Sequence, residues 1–234
     1  MVLLSASEIQ AQTTAYQFKT TDGNFWKMSS LTLSDKVPGK AQVVIRSSQP
    51  QQTFLGWGTC FNELPWDAYN LLSDNDKQLL VKRMFNPYGD LRLQKGRLSA
   101  GANDYAREWY SCDEIDVNET DFEMEHFNID RDLTTIIPSI KLALAENPEI
   151  DFFCSPWSPP TWMKTNKHYA QRKTNTNGCP FNVPPYFNYQ FIDDPRYYKA
   201  YCLYFDKFIN AYKEQGINIT SLAYQNEAYS NTPY

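Results

Sequence analysis

The sequence predicts an α/β protein: a parallel sheet alternating with helices, preceded by a short all-β segment. Two observations carry this. From Phe54 onward, short apolar runs alternate with amphipathic helical stretches, four times over. Strands separated by helices pair in parallel through right-handed crossovers. Between residues 16 and 52, by contrast, only short β-prone runs separated by turn signals occur.

In the first segment, Phe25 to Leu33 mixes apolar with Thr and Ser residues, and Ala41 to Arg46 (AQVVIR) is a β-branched run; both read as strands. Neither offers chemistry. Phe54 to Gly58 then reads as the first strand of the alternation. Ser73 opens S-D-N-D, a capping-box pattern, and LLVKRMF continues it as a helix. Asp90 to Ser99 (DLRLQKGRLS) is the second strand. Asp130 is an N-cap candidate for the helix RDLTTIIPSIKLALAEN, with a break or kink expected at Pro138. Ile150 to Ser155 (IDFFCS) is a compact buried strand. A long Pro- and Asn-rich loop follows from Pro156 to Asp193, a length that usually signals function when the chain is ordered; Trp157 and Trp162 argue for order. Pro195 starts the clearest helix, with Tyr198, Tyr201, Phe205, Phe208, Ile209 and Tyr212 at three- and four-residue steps and Gly216 at the C′ position. Ile217 to Tyr224 (INITSLAY) is the fourth strand.

Composition narrows the function. The 42% hydrophobic and 21% charged content of these 234 residues is that of a globular chain. A net charge of −5 and the lack of any Lys/Arg cluster argue against a nucleic-acid partner, because phosphate binding needs a basic face. No apolar run approaches the roughly 18 residues of a transmembrane helix. The start, Met1 to Gln12, has a short apolar stretch and an Ala-rich end. It reads as the tail of a secretory signal, placing the protein outside the cell, in a periplasm or on a cell surface, although it lacks a basic region and carries Glu8. Five widely spaced cysteines (60, 112, 154, 179 and 202) and only two histidines (126 and 168) offer no metal-ligand spacing; buried thiols are the expectation, and neither metal nor cofactor is implied. The 16 Tyr, 14 Phe and 6 Trp suit either a large core or a sugar cleft, where flat rings face the apolar side of a pyranose.

In a parallel β/α barrel, chemistry sits where strands end and the following loops begin. That rule selects Arg97 and Asp104 after the second strand, Trp157 after the third, and Gln225, Asn226 and Glu227 after the fourth. Glycoside hydrolysis commonly needs two carboxyl groups, helped by an amide that grips the sugar 2-hydroxyl. Asn226-Glu227 offers an amide and an acid side by side. An Asn-Glu pair alone is a frequent chance event, and on these grounds alone Arg97 as a structural ion pair, Asp104 as a turn or cap residue and Trp157 as core are the favoured readings.

Five blocks appear in order: GWGTCFNE (Gly56 to Glu63), RLSAGAND (Arg97 to Asp104), WYSCDE (Trp109 to Glu114), CSPWSPPTWMK (Cys154 to Lys164) and QNE (Gln225 to Glu227). Together they resemble the glucosylceramidase-like glycoside hydrolases of family thirty, and the SPWSPPTWMK block is the most specific of them. The resemblance implies a partial (β/α)8 TIM barrel, about its first four strands, preceded by β-strands of an attached β-sandwich. Residues 1–15 would be a signal remnant or disordered, 16–52 the sandwich strands, and 53–234 the first half of the barrel. It implies a retaining β-glycoside hydrolase acting on β-glucosides, either glucosylceramide-type or β-1,6-glucan, with Glu227 as general acid/base. Arg97 would hold the nucleophile's carboxylate, Asp104 would bind sugar hydroxyls, Trp157 would wall the sugar site and Asn226 would flank the acid. The nucleophile itself belongs to the end of a seventh strand, beyond Tyr234. The chain is therefore expected to be a fragment, inactive by itself. A non-catalytic carbohydrate-binding remnant is the competing expectation. The resemblance assigns no role to Glu63, Trp66 or Trp162, and the sequons at Asn118 and Asn218 read as chance.

Overall fold

The computed structural model describes residues 15–31, 39, 44, 46, 48–180 and 190–228. Met1 to Gln12 lies outside them, as does most of the strand expected over Ala41 to Arg46. The chain divides into two compact units, Met1–Phe54 and Leu55–Tyr234.

In the first unit, β1 (Ala15–Thr21) and β2 (Asn24–Leu31) pair antiparallel, with Ala15 opposite Leu31. Gly23, at φ 71°, makes the tight return between them.

The second unit is a four-stranded parallel sheet in the order β3 (Gly58–Cys60), β4 (Lys95–Ser99), β5 (Asp151–Ser155) and β6 (Ile219–Leu222). Its helices are α1 (Glu63–Asn70), α2 (Asp74–Phe85), α3 (Asp130–Thr134), α4 (Ile136–Glu146) and α5 (Pro195–Glu214). Strand order equal to chain order is the arrangement of consecutive barrel strands. Among the described residues, no helix is long and apolar enough to cross a membrane.

Three strands or helices depart from expectation. The first strand forms at Gly58–Cys60 rather than Phe54 to Gly58, because Gly56 at φ 111° interrupts the extended run. The second begins only at Lys95, which leaves Arg97 in mid-strand instead of at its end. The helix expected from Asp130 is broken at Thr135 (φ −125°, ψ −73°), and Asp130 is its first residue, not its cap. Pro138 therefore falls in the first turn of α4, where its missing N–H costs nothing. The Ser73 cap forms as read, its hydroxyl accepting from Asp76 N at 3.2 Å. Gly216 closes α5 in a Schellman turn: Ile217 N bonds Tyr212 O, and Gly216 N bonds Lys213 O.

The two-residue period of the strands sorts their side chains. Leu98, Phe152 and Cys154 are buried among Ile136, Ile140, Phe205, Phe208 and other core residues. Gly96 sits on that face because an added Cβ would lie 2.4 Å from the Phe152 ring. The other face carries Lys95, Arg97 and Ser99 on β4, opposite Asp151, Phe153 and Ser155 on β5. Thus the sheet presents a second, polar face, with a Lys95–Asp151 ion pair of 2.7 Å at one end and Ser99 and Ser155 at the other. Of the five cysteines, Cys112, Cys154 and Cys179 are buried as expected; Cys60 and Cys202 are exposed, the first on the short edge strand β3.

Candidate active site

Strand register, with bonds between the turns that follow the strands, brings three of the candidate residues together. Arg97 points along the polar face toward the C-terminal ends of the strands. Its Nη2 donates to Ser155 Oγ at 3.0 Å and to Asn226 Oδ1. Its guanidinium lies over the Trp157 ring, 4.3 Å from the centroid, and 5.7 Å from that of Phe153. The turn after β6 is held to the end of β5 and the turn that follows it by main-chain bonds: Ala223 N to Cys154 O at 2.9 Å and Asn226 N to Pro156 O at 2.8 Å. Gln225 Nε2 adds a bond to Trp157 O at 2.6 Å. Glu227, the next residue after Asn226, is exposed and adopts φ 45°, a conformation uncommon outside glycine and frequent at functional sites.

The electrostatics of this cluster are asymmetric. An arginine has no acceptor, so Asn226 must turn its oxygen to Arg97 and leave its NH2 to donate elsewhere. Arg97 Nε and Trp157 Nε1 are both buried without a hydrogen-bond partner. A guanidinium N–H and an indole N–H can only donate, so each is suited to receive an acceptor from a ligand or another chain segment.

Asp104 lies apart from this contact set. It is exposed, in the loop after β4, and lines an open pocket of about 500 Å³ together with Trp157, Asn103, Trp109 and Tyr169. That loop is clamped from below. Glu63, 1% exposed at the start of α1, accepts from Arg107 N at 2.8 Å and from Arg131 Nε and Nη2 at 2.7 and 3.0 Å. Burial pushes the Glu63 carboxyl up, but Arg131 and Arg107 together hold it below the usual carboxylate value. Asn103 bridges to Asn62, and Arg107 pairs with Asp67. Sequence reasoning gave Glu63 no role; its place in the GWGTCFNE block is the signal that it matters, here as an anchor of the pocket floor.

Two further buried groups shape the neighbouring loops. Lys164 (4% exposed) reaches Ser158 Oγ at 3.0 Å and Tyr169 O at 2.5 Å, and burial pulls its ammonium down to about 7. Asp113 accepts from Trp162 Nε1 at 2.9 Å, and burial raises its carboxyl to about 6. Trp162, fully buried, is core. Trp109 and Tyr169 were not singled out from sequence as lining residues. Trp109 lies in a recognised block; Tyr169, in an Asn- and Lys-rich loop, carries no sequence signal.

Donors, an acid and an indole gathered at the C-terminal ends of consecutive parallel strands are the arrangement of a β/α-barrel protein. The chain belongs to glycosyl hydrolase family 30: the model of that family's TIM-barrel domain matches residues 54–232. A Caenorhabditis elegans protein provisionally named a glucosylceramidase is 31% identical over 212 residues, covering 88% of this chain and 37% of its own length. The endo-1,6-β-D-glucanase of Aspergillus fumigatus is 28% identical over 181 residues, 77% of this chain and 36% of that protein. Among solved structures, an endo-β1,6-glucanase superposes with a TM-score of 0.61 at 27% identity, over 78% of this chain and 37% of that one. The chain thus spans about a third of the length of the curated relatives it matches.

Proposed function

We propose that this chain supplies the acid/base and much of the sugar-binding wall of a retaining β-glycoside hydrolase acting on β-glucosides, of the glucosylceramide or β-1,6-glucan type. The observation that carries the reading is the junction of Arg97, Trp157 and Asn226 across three adjacent strand ends, with Glu227 next in the chain. Glu227 protonates the leaving oxygen and later takes a proton from water. Asn226 donates its NH2 to the sugar 2-hydroxyl. Trp157 walls the sugar ring, and Asp104 binds its outer hydroxyls. Arg97 offers its unpartnered Nε to the carboxylate nucleophile, which the family resemblance places at the end of a seventh strand, about 5 Å from the acid. On this reading residues 16–52 belong to an attached β-sandwich and 53–234 to the barrel. A secreted, periplasmic or cell-surface setting completes the proposal, supported by the apolar start of the chain.

The test is hydrolysis of alkyl and activated aryl β-glucosides by a protein carrying this chain together with the remaining barrel strands, beside its Glu227→Gln form. Turnover of the alkyl glucoside should fall about 10²- to 10⁴-fold, the usual contribution of a general acid. The aryl glucoside, whose leaving group needs less protonation, should lose less in its first step. Unchanged turnover of both in Glu227→Gln would place the chemistry on other residues.

A further inference from the structure

The pocket beside Trp157 continues onto a second aromatic surface that the roles above leave unused. Trp109 is 44% exposed. Its indole lies flat against Tyr169, with ring centroids 5.4 Å apart and planes 12° from parallel, and meets His168 edge-on at 5.4 Å. Both Trp109 and Tyr169 line the same pocket as Asp104 and Trp157.

Tyr169 is 5% exposed and fixed from several directions. Its hydroxyl donates to Ala102 O at 2.7 Å, and its carbonyl accepts from the buried Lys164, which also holds Ser158, the residue after Trp157. Lys164 therefore ties the Trp157 turn to the support beneath Trp109. An indole backed by an immobilised ring presents a flat outer face whose ordering costs little on binding. Around it stand an amide (Asn103), a guanidinium (Arg107) and two carboxylates (Asp104, Glu108).

We propose that Trp109, backed by Tyr169, is the stacking platform for a second sugar ring of a β-linked gluco-oligosaccharide, adjacent to the ring walled by Trp157; this rests on the glycosidase reading. A pyranose has an apolar C–H face and a rim of hydroxyls, which matches a single flat ring bordered by hydrogen-bonding groups. An acyl chain would desolvate that polar rim and offer it no hydrogen bond in return. Trp109 is thus a specificity-determining residue: it favours oligosaccharides over single glucosides without touching the bond that breaks.

The experiment compares a β-1,6-linked gluco-oligosaccharide with β-D-glucosyl fluoride, which offers one ring only, in a protein carrying this chain through all eight barrel strands and in its Trp109→Ala and Trp109→Phe forms. Trp109→Ala should lose roughly tenfold in kcat/KM on the oligosaccharide, the scale of about 1.4 kcal/mol expected of ring stacking, mostly through KM. On the fluoride it should stay within about twofold of the parent, which also reports an intact fold. Trp109→Phe should recover most of the loss. An equal loss on both substrates, or none on the oligosaccharide, would overturn the platform. A parent protein that hydrolyses neither substrate would instead remove the glycosidase reading, and the platform with it.

Discussion

Beneath the loop that carries Asp104, Glu63 receives three donors, and Asp132 receives one phenol on each oxygen, Tyr110 at 2.8 Å and Tyr212 at 2.7 Å. On the adjacent strand β4 and in the turn after β5, Arg97 Nε and Trp157 Nε1 are also buried and receive no partner. Both clusters lie in the same unit and both combine helix- or strand-borne residues with loop residues. The first is a closed circuit in which each carboxylate oxygen finds a donor within the chain. The second is open, with donors directed at whatever completes the site. Burial of a polar group is therefore uninformative by itself; what separates structure from function here is whether the hydrogen-bond inventory closes.

This contrast breaks if substitutions in the two clusters behave alike. Arg97→Met, in a protein that carries this chain with the remaining barrel strands, should cut glucoside turnover by about 10²-fold or more, the scale of losing one preorganised charge-stabilising donor set. Its effect on denaturant unfolding should be the smaller of the pair. Arg131→Met reverses the pattern. It strips Glu63 of two charge-assisted bonds and leaves a carboxylate that is 1% exposed. Removing one partner of a buried ion pair costs about 3–5 kcal/mol, and the part-exposed Arg131 points to the lower end. Urea unfolding measures this; at a temperature where the variant stays folded, kcat should be near that of the parent. A catalytic loss in Arg131→Met without destabilisation would erase the distinction.

Asp113 sharpens the comparison at smaller amplitude, because its Oδ1 is also buried without a hydrogen-bond partner. A carboxyl, unlike a guanidinium or an indole, can shed its charge. With its folded value raised from 3.8 to about 6, the native state takes up a proton that the unfolded chain lacks between those pH values. Stability from this group is present at low pH and declines as pH rises from about 4 through 6. Asp113→Asn is neutral throughout and keeps an acceptor for Trp162 Nε1. Unfolding midpoints at pH 4.5 and 7.5 should therefore show the variant gaining on the parent at the higher pH. The opposite trend would mean that Asp113 is held ionised, as a true site carboxylate would be.

What the sequence determined by itself was local and periodic. The three- and four-residue spacing from Tyr198 to Tyr212, the Ser73 cap and the Gly216 stop all involve neighbours a few residues apart, and each forms as read. The alternation from Phe54 onward likewise implied a parallel sheet, since chirality leaves one sensible crossover. Ordered motif blocks carried the candidates Arg97, Asp104, Trp157, Asn226 and Glu227, because family resemblance survives in residue identity. Strand boundaries at Gly58 and Lys95 depended on which backbone groups found partners across the sheet, a matter of register between segments some 40 residues apart in the chain. The contact between Arg97 and Asn226 joins residues 129 apart, and the support of Trp109 by Tyr169 joins two loops that share no pattern. No periodicity encodes such meetings. They arise only when parallel strands bring their C-terminal ends to one edge, where hydrogen-bond geometry then decides which side chains close upon each other and which remain open.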